Sequence, residues 1–285
     1  MHWKPIDSLN TTLPPGIKVF KGRNETLPLN AWYLAINEPD STIRTHVVVS
    51  EDDDRRETLS SFALRWQAPV VVNGGYFLMH KKPTNHVGLL FIDGKLVEPA
   101  LPSLLRGNEH YFTARGALGF TPDDRVDIAW VSTWNDSLFE WSTPPPNRPG
   151  HPVESLDRTQ ARYWPMQDAL HAGPVLIHDG KINITVNEEV FFDTKIPDVH
   201  PRTAVGYRSN GELILLVVDG RQVSSRGVDL NELATILLDL GCYEALNLDG
   251  GGSSALVVNG NLLNRPAGGT TEREVMSALV VLYEP

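Results

Sequence analysis

The chain has 285 residues, enough for one large domain or two ordinary ones, and a chain of that size buries about three quarters of its extended surface without staples. A single cysteine, Cys242, excludes an internal disulfide framework and any Cys-rich zinc module. With 35 acidic against 25 basic residues the net charge is −10, which argues against nucleic acid as the main partner but leaves room for a small anion held by a few arginines.

The 23 glycines and 21 prolines make up about 15% of the chain against a background near 12%, so turns are abundant. Residues 1–30 contain no continuous apolar stretch of the kind a secretory signal needs. The longest apolar runs, 213–218 and 278–283, are far too short to span a membrane. This pattern predicts a soluble protein, cytoplasmic as written and secreted if a signal has been removed.

Strands are expected at 31–36 and 45–49. The acidic residues 51–54 then lead into a helix over 55–66, with Leu59, Phe62, Ala63 and Trp66 on one face and the acids at its positive end. Strands follow at 69–72 and 87–92, and Asp93-Gly94 turns the chain back into 95–97. After strands at 117–120 and 126–131 the periodicity disappears between 133 and 167. Five prolines fall within 144–152, which predicts a Pro-rich insertion docked on the surface by Trp134, Trp141, Tyr163 and Trp164.

Further strands are expected at 173–178, 203–207, 213–218, 245–248, 254–258 and 277–282, with turns at Asp179-Gly180, Asn210-Gly211 and Asn259-Gly260. Such dipeptides between apolar runs mark hairpins, because a type I′ turn needs positive φ at both central residues. Asp229 and Glu232 form a capping-box start for a helix whose Leu230, Leu233, Ala234, Leu237 and Leu238 share a face, and Gly241 stops it. The reading is an α+β fold, an antiparallel or mixed sheet rich in hairpins packed with a few helices. Residues 1–66 supply strands and a helix to the same domain as 67–285.

Two glycine-containing segments are poorly explained as turns. Asp219-Gly220-Arg221 ends the run 213–218. Asp249, followed by Gly250, Gly251, Gly252, Ser253 and Ser254, ends the run 245–248. Three successive glycines cost conformational entropy and suit a backbone that lets a ligand approach closely, as in an anion-binding nest. The loop lacks the lysine of a phosphate loop, the spacing of a dinucleotide fingerprint and the G-x-S-x-G of a nucleophile elbow. His80 and His86 read best as parts of a loop beside the site.

The segments NGGYF (73–77), AGPVLI (172–177), HPRTAVGY (200–207), LLVVDGR (215–221) and ALNLDGGGSSALVVNG (245–260) occur in an order that resembles the phosphodiester glycosidase family. The resemblance implies hydrolysis of a sugar-1-phosphodiester of the N-acetylglucosamine type at the sugar side, releasing sugar and a phosphomonoester. It places Asn73, Gly74, Gly75, Arg202, Thr203, Asp219, Arg221, Asn247, Asp249, the residues from Gly250 to Ser254, and Arg273 in the site. The family's closing Arg, two or three residues, then Asn-Ala-Leu departs here to Arg273 and Ser277-Ala278-Leu279.

A carboxylate can stabilise or trap an oxocarbenium-like centre, or activate water against it. Asp249 is therefore expected as nucleophile or base with Asp219 as partner, the reverse assignment staying open. Arg202, with Arg273 as second choice, would clamp the phosphate. No cofactor is required by this scheme, and a divalent cation at either aspartate stays open. The alternatives are a glycosidase acting on a cell-surface or exopolysaccharide glycan, and a sugar-phosphate binding module without catalysis.

Overall fold

The computed structural model describes residues 1–24, 26–37 and 42–285. Strands take 42% of the chain and helices 11%, so the fold is strand-dominated, with the hairpin-rich sheets and few helices expected of it. Every pairing among the described strands is antiparallel, and no mixed sheet forms among them.

Three sheets of eight, seven and five strands share one core, beside a small two-stranded ribbon. The apolar strand Leu213–Val218 shows how a sequence without alternation is used. Leu213, Leu215 and Val217 face the shared core, while Ile214, Leu216 and Val218 face the helix Leu230–Asp239. Both faces are covered, so both are apolar. The helix carries the expected Asp229–Glu232 capping box, and each of its fully buried leucines contributes about 1.5–3 kcal/mol. Val70–Asn73 repeats the scheme, with Val70 and Val72 in the shared core and Val71 against Leu59 and Phe62 of the helix Leu59–Trp66.

That helix begins four residues later than its sequence suggests. Arg55 adopts φ 60° and Glu57 bridges to Val275, which keeps the approach extended, and Thr58 caps the first turn. Glu51, Asp52 and Asp53 are exposed in a turn and lie outside the helix terminus.

Asp93-Gly94, Asp179-Gly180 and Asn259-Gly260 all take positive φ at both positions, as hairpins require. Asn210-Gly211 does not: only Gly211 is left-handed (φ 85°), and its N–H closes a turn on Arg208 O (2.9 Å). That geometry is a type I turn followed by a bulge.

The span 133–167 is more ordered than its composition implies. Asn135 and Asp136 take φ 49° and 56° and turn Val126–Trp134 back into Ser137–Trp141, on which Ala161–Tyr163 then pairs. The proline stretch between these strands is the true excursion. It is fastened by Asn147, which donates to Phe112 O (2.8 Å) and accepts from Val153 N (2.7 Å). Trp141 and Trp164 dock through Ser132 Oγ and Asp127. Among the described residues no helix is long and apolar enough to cross a membrane.

Candidate active site

The site forms where one stretch of chain passes between sheets. Glu244–Asn247 pairs in the eight-stranded sheet and Leu256–Val258 in the five-stranded one, so residues 248–255 cross the gap. The crossing is pinned at its start, Leu248 N–H donating to Thr203 O (2.9 Å) and Asp249 N–H to Gly74 O (3.1 Å).

Asn73 and Thr203 hold this junction from beneath. Asn73 Nδ2 donates to Asp249 O (2.7 Å), while its Oδ1 accepts from Thr203 Oγ1 (2.7 Å) and Ala255 N (3.3 Å). Both side chains are buried, and their hydrogen-bonding capacity goes into joining segments of chain. Gly74 and Gly75 pass Ser277, donating to its O (2.9 Å) and its Oγ (3.2 Å). Ser277, where the family pattern has asparagine, therefore keeps a positioning role. A β-carbon on Gly75 would strike the His171 carbonyl and His86 Nε2, so only glycine fits. Burial lowers the His86 pKa to about 4 and that of His171 to about 3, which leaves both rings neutral at pH 7.

The expected nest of amides does not form. Gly250 N–H donates to Asp249 Oδ1 (2.9 Å), Gly251 N–H to Pro201 O (2.9 Å), and Ser253 and Ser254 N–H to the carbonyls of Gly250 and Gly251 (3.2 and 3.3 Å). Four of the five amides are thus already engaged, three inside the loop and one on Pro201. The glycines instead admit side chains from outside. Gly251, at φ 64°, has Arg221 Nη2 3.1 Å from its absent β-carbon, and the Arg273 guanidinium occupies the equivalent space at Gly252. Both arginines are exposed. Arg273 Nη1 reaches Ser253 Oγ (3.4 Å), and Arg221 Nη2 donates to His200 Nδ1 (3.2 Å), whose ring is set by Lys195 O (2.8 Å).

Asp249 feels the charge of Arg273, while Arg221 lies against Gly251 further along the loop. Its residue keeps some contact with solvent while its carboxyl is deep. Burial raises its pKa to about 6, opposed by the Ser253 hydroxyl, the Gly250 N–H and the charge of Arg273.

Tyr76, quoted in the sequence motif without a role, belongs beside it. Its hydroxyl donates to Gly173 O (2.7 Å) and accepts from Asn247 Nδ2 (2.8 Å). Burial, then the charge of Asp249, raises the tyrosine pKa, with Arg202 and Arg115 opposing. Its position directly after Asn-Gly-Gly was the available signal. Asn247 Oδ1 and Ser254 Oγ are buried without a hydrogen-bond partner among the described residues, so each is an unmet acceptor that a water or ligand hydroxyl would satisfy.

Two expected participants are placed differently. Arg202 is 2% exposed, and its Nε donates to Val228 O (3.0 Å) and its Nη2 to the carbonyls of Ile196 (2.8 Å) and Asp198. With two of its three nitrogens so engaged, it is not free to clamp a phosphate in the bidentate manner expected. Asp219 is also 2% exposed, and its Oδ1 accepts from Asn264 Nδ2 (3.2 Å) and Arg265 N–H (2.9 Å). It is absent from the groups that act on Asp249, and its contacts fasten the loop around Asn264. Among the described residues the one group of three His, Asp or Glu side chains close enough to share an ion is His178, Asp179 and Glu244, which includes neither aspartate.

A family model described as phosphodiester glycosidase matches residues 67–282. The chain belongs to the phosphodiester glycosidase family. Curated relatives include N-acetylglucosamine-1-phosphodiester alpha-N-acetylglucosaminidase of Bos taurus, 38% identical over 99 residues (33% of this chain, 19% of that protein). An uncharacterised SPbeta prophage-derived protein of Bacillus subtilis (strain 168) is 42% identical over 84 residues (30% of this chain, 13% of that one). The matched segments thus span less than a quarter of these relatives. Among solved structures, the catalytic domain of the zebrafish N-acetylglucosaminidase, auto-inhibited by its pro-peptide, superposes with TM-score 0.67 at 22% identity, covering 100% of this chain and 88% of that one. A hypothetical protein from Synechocystis gives 0.68 at 17% identity, covering 100% and 64%. At these identities the structures speak to the shared fold.

Proposed function

We propose that this phosphodiester glycosidase hydrolyses the glycosidic bond of a sugar-1-phosphodiester of the N-acetylglucosamine type, giving free sugar and a phosphomonoester. The observation that carries this reading is Asp249, one deep carboxyl with its pKa near the working range, acted on by the charge of Arg273 and followed by a glycine loop that admits Arg273 and Arg221.

The chemistry follows from the leaving group. A phosphomonoester has a second pKa near 6, so its oxygen leaves without needing a proton, and neutralising its charge matters more. Arg273 and Arg221 supply that charge at the loop surface, in place of the buried Arg202. As the C1–O bond breaks, its electron pair goes to the phosphate oxygen. The ionised Asp249 either takes a proton from the water that attacks C1, or bonds to C1 to give a glycosyl ester whose C1–O bond water then breaks, returning the carboxylate; the configuration of the first-formed sugar reports which. Asn247 and Ser254 offer unmet acceptors to sugar hydroxyls, and Tyr76 fixes the Asn247 amide. Asn73, Thr203, Gly74 and Gly75 hold the crossing in register.

The test is release of sugar from N-acetylglucosamine-1-phosphate methyl diester, compared with the corresponding aryl glycoside. Turnover of the diester with little turnover of the aryl glycoside supports the reading. Equal rates would remove the requirement for phosphate, and no turnover of either would remove the activity.

A further inference from the structure

The clearest departure from an overall charge of −10 lies outside the site. The strands His2–Pro5 and Ile17–Asn24 pair so that His2 stands opposite Arg23 and Lys4 opposite Lys21. Lys4 and Lys21, like charges directly across the strand pair, repel, and positions two apart share a face, so Arg23 and His2 stand on the same side of this ribbon. Lys21 sits 5.0 Å over the Trp32 ring, and its pKa is lowered by burial and then by Arg23. Neither Lys21, Arg23 nor Arg265 forms an ion pair among the described residues.

These side chains line open clefts. One of about 560 Å³ includes Lys21, Arg23, Asn30, Gln222 and Arg265. A second, of about 830 Å³, continues from Lys21 and Arg23 to His2 and Lys4. The first ends at Gln222, the residue after Arg221, whose guanidinium lies against Gly251 of the crossing loop. Asp219 also lines this cleft, yet its Oδ1 is tied to Asn264 and Arg265, and Asp7 is the acid of the second cleft. The result is a groove in which Lys4, Lys21, Arg23 and Arg265 outnumber Asp219 and Asp7, with Asp219 partly offsetting the charge of Lys21.

We propose that this groove binds the continuing chain of a polyanionic glycan, so that the diester cleaved at Asp249 is one unit of an acidic polymer. The inference rests on the glycosidase reading for the site and adds the substrate class. Phosphate or carboxylate groups along the polymer would relieve the Lys4–Lys21 repulsion and pair with Arg23. Nucleic acid fits less well: the one aromatic ring lining the first cleft, Trp32, is 5% exposed beneath Lys21, which leaves no platform on which bases stack.

The decisive measurement is binding, on protein carrying Asp249→Asn so that nothing turns over. This protein and its Lys21→Gln/Arg23→Gln/Arg265→Gln derivative are titrated with an oligomer of repeating sugar-1-phosphodiesters, with polygalacturonate, and with single-stranded DNA of matched charge. The groove predicts salt-sensitive binding of a glycan polyanion that weakens about tenfold or more in the derivative, three modest charge contacts being lost. Preference between the first two ligands identifies phosphate or carboxylate as the recognised group. Unchanged affinity in the derivative, with its melting temperature retained, would overturn the proposal, as would tighter binding of DNA. On the active enzyme the ratio of kcat/KM for oligomer over monomer should fall by a similar factor. Failure of all turnover would strike the glycosidase reading and leave the binding result to stand on its own.

Discussion

Arg273 lies where the β-carbon of Gly252 would be, and its Nη1 points to Ser253 Oγ at 3.4 Å. The glycine is therefore a socket for the arginine. Gly252→Ala should push the guanidinium aside at little cost in stability, since the displaced group is the far end of a flexible chain. It should lower kcat/KM for a phosphodiester by about 10–100-fold, the worth of one charge-assisted contact. Arg273→Ala should do the same, and the double variant no more than either alone. Steady-state kinetics on the four proteins decides it; additive losses would separate the two residues.

Asp249→Asn should abolish sugar release, a loss of about 10²–10⁴-fold or more for removal of a base, and should leave the protein folded. The same substitution has a stability signature. The native carboxyl holds its proton more tightly than the unfolded one, so native stability declines as pH rises from about 4 through about 6. Asparagine removes that decline. The variant should be the more stable protein at pH 7, by an amount of order 1–3 kcal/mol, and the gain should vanish below pH 4. Thermal melts of both proteins at pH 4 and pH 7 read this directly.

Activity of the wild type should rise with pH through about 6 as Asp249 ionises. Neither His86 nor His171 should contribute a limb there, because burial holds both well below that range. A kcat/KM profile from pH 4 to 8 should show one acid limb. Persistence of that limb in a residual activity of Asp249→Asn would assign it elsewhere.

Arg202→Ala should act on the fold. It strips donors from the carbonyls of Val228, Ile196 and Asp198, at a cost of about 2–4 kcal/mol. Activity on phosphodiester and aryl glycoside should decline in parallel, following the folded fraction. A selective loss on the diester, with the melt unchanged, would return Arg202 to the phosphate.

Asp219→Asn separates one carboxylate from two. Because Oδ1 of an asparagine can still accept from Arg265 N–H, the variant should fold and retain kcat within about threefold. A loss comparable to that of Asp249→Asn would restore the paired mechanism.

The sheet-forming part of the fold was legible because strands and hairpins leave local marks. Leu213–Val218 and the Asp179-Gly180 turn stand almost where the sequence put them. Asn135-Asp136 escaped notice because its turn has no glycine, although both residues adopt left-handed φ. In the site, the order of motifs located Asp249 and its glycines. What no local pattern could show is direction. Arg202 and Asp219 stand in equally suggestive motifs, yet their side chains turn to backbone carbonyls and to the Asn264 loop. Tyr76 was hidden for the opposite reason: its partners, Gly173 and Asn247, are distant in sequence.

The strand Leu29–Ile36 hydrogen-bonds along Leu213–Val218, and Ile43–Val49 along Ser277–Tyr283. Both N-terminal strands precede residue 67, where the family match begins. A chain shortened to that match would turn two largely apolar interior strands into bare edges, open to pairing with another molecule. One of them leads directly into Asp219 and the other starts at Ser277, which accepts from Gly74 N–H. The shortened protein should therefore aggregate and lose the register of the crossing together. For this chain, the smallest piece able to carry the chemistry is larger than the piece that reveals the kinship.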